Sequence, residues 1–210
     1  MAIDDLLDEH EQSERVLQWL RNNGAGLIGG IALGLAAIGG WKWWEHRGEQ
    51  QRMDTATQYQ SALDAIEAKD KGADAKVKAL ADGSSYHALA SLELARSQVD
   101  AKQNDAALAT LRGIHSNDPA IMQIVNLRIA RLLIESKQAD AALKLVADAD
   151  TASGIEVRGD AHLALGQKEQ ARTAYTEAMA KLDVASPHRR LLELKLTEVG
   201  GTPAKPEAKS

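Results

Sequence analysis

The chain has 210 residues, no cysteine, a net charge of −5 and aromatic side chains at only 3 % of its positions. The lack of cysteine excludes disulfides, zinc-thiolate sites and thiol nucleophiles, and the acidic balance argues against nucleic acid as a ligand. All four tryptophans and seven of the sixteen glycines lie in the first 44 residues. The N-terminal part of the chain therefore differs in kind from the rest.

Residues 1–21 form an acidic opening segment. They carry six acidic side chains against Arg15 and Arg21, a net charge of −4. A secretory signal peptide begins with a short basic region instead, and no convincing small-x-small cleavage site precedes Trp41. We therefore predict an acidic tail over residues 1–21, followed by an apolar segment that is not cleaved.

An uncharged stretch runs from residue 22 to Trp41, and roughly 20 such residues in a helix span the hydrocarbon core of a bilayer. Trp41, Trp43 and Trp44 stand at its end, where amphipathic rings favour the headgroup region. A soluble core helix with so many glycines would be hard to bury in a chain of this size. The pattern predicts a single transmembrane helix over residues 22–44.

The charges on either side of this helix do not decide its orientation. Arg15 and Arg21 precede it, and Lys42, Arg47 and Arg52 follow. The count of basic residues leans towards a cytoplasmic C-terminal side, but Lys42 lies at the interface itself and long domains translocate largely regardless of charge. The residues alone leave both orientations open.

Three glycines at steps of four mark one face of the same helix. Gly26, Gly30 and Gly34 leave bare backbone patches that allow another helix to approach closely. Because glycine is dense in this segment, such a spacing also arises by chance. We treat this face as a candidate contact with another transmembrane helix.

From residue 45 to residue 199 the composition favours helix throughout. Alanine, leucine, glutamine, lysine and glutamate dominate, and no alternating strand pattern appears. After the membrane segment, apolar positions recur every three or four residues and predict an amphipathic helix whose apolar face comprises Met53, Ala56, Tyr59, Leu63 and Ile66. Gly72 and Gly83 then bound a short helix with Val77 and Leu80.

Three segments beginning at residues 104, 139 and 168 repeat one pattern. In each, a small alanine stands four residues before a larger side chain, in the pairs Ala107/Leu111, Ala142/Val146 and Ala171/Tyr175. The spacings of 35 and 29 residues bracket the 34-residue tetratricopeptide unit, in which a small residue on the second helix lets it nest against the first. The alternative is coincidence in an alanine-rich chain. The pattern predicts an all-α, tetratricopeptide-like repeat domain.

Glycine and proline residues at the expected turns and helix ends support the repeats. Gly159 and Gly166 fall at the expected close helix crossing and inter-helix turn of the third copy, and Asp118-Pro119 separates the first copy from the second. Ser186 and Pro187 predict the start of a final helix that closes the array with a polar outer side made by Arg189, Arg190, Glu193 and Lys195. Residues 200–210 are expected to form a disordered tail.

No motif for catalysis is found in the sequence. The six histidines lie in six different segments without metal-ligand spacing, and no phosphate-binding loop or nucleophile elbow occurs. We therefore predict a protein that is not an enzyme and that has neither a cofactor nor a metal site.

A repeat array instead offers a concave binding surface. The inner face of the first helix in copies one and two is predicted to form a groove from Leu89, Leu92, Arg96, Ile124, Leu127 and Arg131. Aliphatic side chains beside two arginines suit an extended or unfolded polypeptide that bears a carboxylate. In the alternative reading, the helix over residues 49–66 fills this groove and makes its leucines ordinary core.

Several segments together resemble one known family. They are residues 8–14 (DEHEQSE), Trp19 with Asn22-Asn23, residues 40–44 (GWKWW), residues 126–133 (NLRIARLL), residues 158–160 (RGD), and Arg189 with Lys195-Leu196. They are similar to the YfgM family, whose members are ancillary subunits of the SecYEG translocon in Gram-negative inner membranes. The resemblance covers nearly the whole chain and brings no catalytic residue.

The resemblance implies a topology and partners. Residues 1–21 would be cytoplasmic and the domain over residues 45–199 periplasmic, beside the SecYEG translocon and a PpiD-like periplasmic chaperone. The expected function is a chaperone-like module that binds unfolded or newly exported polypeptides. Alternatives are a membrane-tethered scaffold for envelope or cell-division machinery without client binding, and a sensor whose acidic tail recruits a cytoplasmic regulator.

Overall fold

The computed structural model describes residues 4–183 and 185–203, with side chains from Ser13 onward. This part of the chain contains helices and no strand, which confirms the predicted all-α class. It divides into two compact units, residues 1–55 and 56–210. The helices in chain order are α1 (Asp4–Glu67), α2 (Ala73–Lys78), α3 (Ser85–Asp100), α4 (Asn104–Arg112), α5 (Pro119–Glu135), α6 (Ala139–Leu145), α7 (Ala152–Ala164), α8 (Lys168–Lys181) and α9 (Arg189–Glu198).

The first unit consists of the long N-terminal part of α1. Within the described residues, α1 is the one helix long and apolar enough to cross a membrane, and none of its apolar window is buried inside the protein. Trp41, Trp43 and Trp44 are exposed, with the rings of Trp41 and Trp44 5.8 Å apart and the Arg47 guanidinium 5.4 Å from the Trp43 ring. An apolar surface of this length without cover is typical of a helix in contact with lipid.

The second unit opens with the last turns of α1, which pack on α2 and α3. Ala62, Ala65 and Ile66 are buried in a small core with Val77 and Leu94. The Tyr59 ring extends this contact, with its centroid 5.1 Å from that of Tyr86. The predicted amphipathic helix is thus the C-terminal end of α1.

The repeat prediction is confirmed at residue level. The three predicted segments begin at the first residues of α4, α6 and α8, each of which follows its own first helix α3, α5 or α7. Ala107, Ala142 and Ala171 have no exposed surface, because each lies at a close helix crossing. One core joins the first two hairpins and continues into α7, and a second core joins α7, α8 and α9.

The three hairpin turns are built alike. Lys102, Lys137 and Gly166 adopt the left-handed conformation, with φ of +64°, +62° and +76°. In each turn the following glutamine donates its backbone N–H to the carbonyl five residues earlier, at 2.8–2.9 Å, as in a Schellman cap. The first and second copies therefore turn at a lysine where the third has a glycine.

The last helix differs from its prediction. It begins at Arg189, two residues after Pro187, although the Ser186 hydroxyl still accepts the His188 N–H. Its outer side is polar only in part, with Arg190 exposed as predicted. Arg189, Glu193 and Lys195 lie half-buried on its flanks, whereas Leu191 and Leu194 are exposed, because carboxylates of α7 draw Lys195 inward.

Candidate functional site

Three arginines meet between α3 and α5. They surround a cavity of about 330 Å³, which we call the arginine groove and which is lined by Ala95, Arg96, Val99, Leu111, Arg128, Arg131, Leu132 and Glu135. Arg96 and Arg131 are two of the predicted groove residues, and the fold brings them together. Arg128 was missed, although it lies one turn of helix from Arg131.

Arg128 is held in place by the backbone of the neighbouring repeat. Its Nη1 donates to the Leu92 carbonyl at 3.0 Å, which joins α3 to α5 and fixes the guanidinium at the groove. Arg96 makes an exposed ion pair with Glu93 at 3.4 Å. With three arginines and a single lining carboxylate, Glu135, the groove attracts anions over an aliphatic floor.

The four predicted apolar residues do not share one surface. Leu92 is buried in the first core and Leu127 packs against it, whereas Leu89 and Ile124 are each 46 % exposed. None of these four side chains lines the arginine groove. Leu127 instead borders another cavity, of about 610 Å³, beside the loop between α6 and α7.

The end of α1 lies against a different face of α3. It packs on Ala90 and Leu94, on the opposite side of the helix from the groove residues Ala95 and Val99. No residue of the described segment 56–67 lines the arginine groove. It does form a neighbouring cavity of about 470 Å³ that shares Arg96.

A polar cluster joins the last three helices; its members are Glu156, Asp160, Tyr175, His188 and Lys195. Lys195 Nζ donates to Glu156 Oε1 at 2.7 Å and to both oxygens of Asp160 at 2.8 Å. Tyr175 OH donates to Asp160 Oδ1 at 2.8 Å, and His188 Nε2 lies 2.6 Å from Glu156 Oε2. Sequence reasoning missed the cluster, although two carboxylates four residues apart on α7 were a signal for it.

The contacts of the polar cluster shift the pKa of Glu156, Tyr175 and Lys195. Burial raises the pKa of Glu156, but hydrogen bonds and charges from Lys195 and His188 outweigh it, so this pKa lies below its ordinary value. Burial lowers the pKa of Lys195, but Asp160 and Glu156 outweigh it and raise this pKa overall. Burial and the Asp160 carboxylate both raise the pKa of Tyr175. Glu156 and Lys195 therefore stay charged at neutral pH, and their ion pair fastens α9 to α7.

The candidate glycine face lies in the first unit. A Cβ added at Gly26, Gly30 or Gly34 would meet no atom within 4 Å. The backbone at these positions is therefore open to close approach by another helix.

Comparisons with known proteins agree with this fold. Residues 17–201 match the family model described as a tetratricopeptide repeat-like domain. The chain is 34 % identical over 203 residues to the ancillary SecYEG translocon subunit of Escherichia coli K12, which covers 91 % of this chain and 97 % of that protein. It is 23 % identical over 181 residues to the protein of the same name in Haemophilus influenzae, covering 82 % and 89 %. No solved structure matches the chain.

Proposed function

Since the chain belongs to the tetratricopeptide repeat-like family of ancillary SecYEG translocon subunits, we propose that it is a single-pass inner-membrane protein that associates with the translocon as a non-enzymatic adaptor. The names of both relatives and the exposed apolar length of α1 support this proposal. Residues 22–44 then span the bilayer, with residues 1–21 in the cytoplasm and residues 45–199 in the periplasm.

In this proposal the repeat domain binds polypeptides that leave the export channel, or a PpiD-like chaperone that receives them. The arginine groove is the observation that carries it. An extended chain offers carboxylates and aliphatic side chains, and the groove offers Arg96, Arg128 and Arg131 above Val99 and Leu132. Leu89 and Ile124, on the same two helices, are exposed and lie outside the groove lining.

Site-specific photocrosslinking tests this binding. A photoreactive residue replaces Arg96 or Arg131 in the full chain during secretion, and Lys168, exposed at the start of α8, is the matched control position. We expect crosslinks to exported polypeptides or to a periplasmic chaperone from the first two positions and not from the control. Crosslinks from neither groove position would refute the groove and favour the scaffold without client binding.

Protease protection tests the topology separately. In inverted inner-membrane vesicles, protease added outside should leave the repeat domain intact and remove residues before Arg21. Digestion of the repeat domain under these conditions would place it in the cytoplasm and refute the proposed location.

A further inference from the structure

The outward side of α9 carries an apolar centre with a charge at each end. Its outer stripe consists of Arg190, Leu191, Leu194, Thr197 and Glu198, all of which are exposed. These residues share one helix face because they are spaced by one, three or four positions. Leu191 and Leu194 are 46 % and 59 % exposed. A helix that ends a repeat array ordinarily turns a polar side to water, whereas this one exposes two leucines at the centre of its outer side.

The rotation of α9 is fixed by its inner side. Leu192, Leu196 and Val199 are buried in the second core, and Lys195 is bound by Glu156 and Asp160. Turning the helix to bury Leu194 would remove Lys195 from Glu156, a carboxylate with 3 % exposure, at a large free-energy cost. The leucines therefore face outward as a consequence of the fold.

The outer stripe is complementary to itself. Arg190 lies at its N-terminal end and Glu198 at its C-terminal end, and within the described residues neither forms an ion pair of its own. When two copies of α9 lie antiparallel about a twofold axis through Leu194, each Arg190 meets Glu198 of the other copy. The two Leu194 side chains then meet at the axis, and each Leu191 faces Thr197.

We propose that this stripe pairs two copies of the chain, with α9 of one copy antiparallel to α9 of the other. A twofold interface requires a surface that is complementary to itself, and the opposite charges at its two ends provide this. One helix of ten residues per copy buries less than the roughly 1,200–2,000 Å² of stable interfaces, so the pairing is weak in solution. Confinement of both copies to one membrane raises their local concentration and supports it.

Cysteine crosslinking of the full chain in its membrane tests the pairing, because the chain has no cysteine of its own. Leu194→Cys should form disulfide-linked dimers under mild oxidation. Leu89→Cys, on α3 and also well exposed, is the control and should not. A chain with Arg190→Cys alone, or with Glu198→Cys alone, should crosslink poorly to itself. A mixture of these two variant chains should crosslink well, because position 190 of one copy faces position 198 of the other.

Reversal of the charges at the two ends of the stripe provides a second test of the pairing. In the Leu194→Cys chain, Arg190→Glu or Glu198→Arg creates two like-charge pairs per dimer and should lower the crosslinking yield about tenfold, and the double reversal should restore it. Each reversal favours the helix dipole, so a weaker helix would not explain the loss. Yields at the Leu89→Cys level, or yields indifferent to charge, would overturn the proposal.

Discussion

Gly159 gives the sharpest test of how the repeats pack. A Cβ built there would lie 2.5 Å from Tyr175 Cε1 and 2.6 Å from Cδ1, and the Tyr175 ring has no exposed surface. The ring has little room to retreat, because its hydroxyl is bound to Asp160 and its flank lies beneath Lys195. In Gly159→Ala, either α7 and α8 must separate or Tyr175 must leave its position.

The size of the effect follows from two opposing terms. Overpacking a filled core costs about 1–3 kcal/mol, whereas alanine gains up to about 1 kcal/mol over glycine in helix propensity. We therefore expect Gly159→Ala to lower the free energy of unfolding by about 1–2 kcal/mol. Urea unfolding of the full chain, followed by pulse proteolysis of the second unit, measures this free energy.

The other repeats supply the control. In the third copy Gly159 faces the large Tyr175. The equivalent position is Ala130 in the second copy, opposite Val146, and Ala95 in the first copy, opposite Leu111. An alanine is therefore paired with a side chain smaller than tyrosine in both of the other copies. Gly159→Ala should therefore cost far less in the Tyr175→Leu background. A Gly159→Ala chain as stable as the parent, or additive effects of the two substitutions, would refute the reasoning.

Three further results are expected. Lys195→Met should lower the free energy of unfolding by about 3 kcal/mol in the same assay, because the buried Glu156 loses the ammonium group 2.7 Å away and keeps His188 as its remaining partner. Because folding lowers the pKa of Glu156, this residue stabilises the fold above its unfolded pKa, and the stabilisation is lost as pH falls through its folded pKa. Because folding raises the pKa of Lys195, that residue stabilises the fold below its unfolded pKa, and the stabilisation is lost as pH rises through its folded pKa. The free energy of unfolding in urea, measured from about pH 3 to about pH 11, should thus be constant near neutral pH and fall at both ends of this range. Glu156→Gln should reduce the fall at acidic pH; an unchanged fall would contradict the role given to Glu156. Gly30→Leu should leave repeat-domain stability unchanged and reduce copurification of the translocon, whereas Gly39→Leu, on the opposite side of the helix, should not; equal copurification would remove the glycine face as a contact.

Features set by the order of residues within a single helix could be predicted from the sequence. Ala107, Ala142 and Ala171 marked the second helices because a close crossing requires a small residue wherever it occurs, and the uncharged run from residue 22 to Trp41 marked the candidate membrane span. The turns were partly missed. The first and second copies have no glycine at the turn, but the pairs Lys102-Gln103 and Lys137-Gln138 are identical and mark the turn in both.

Features that depend on which helices meet could not be predicted in the same way. Leu92 and Leu89 lie on adjoining faces of α3, and only the position of α4 and α5 decides that Leu92 is core while Leu89 is exposed. On α9 the exposure of Arg190 was predicted, but Lys195 was placed on the outer side because nothing along the helix shows that Glu156 and Asp160 face it. The groove arginines were predicted as a pair, and Arg128 was missed because its anchor is the carbonyl of Leu92, a backbone atom that no side-chain pattern reveals.

The exposed tryptophans of α1 make this chain its own optical probe. Trp19, Trp41, Trp43 and Trp44 are its complete set of indoles, and none belongs to the second unit. Indole emission therefore reports the surroundings of α1. Lipids that carry quenchers at graded depths would locate this segment in the bilayer without any added label.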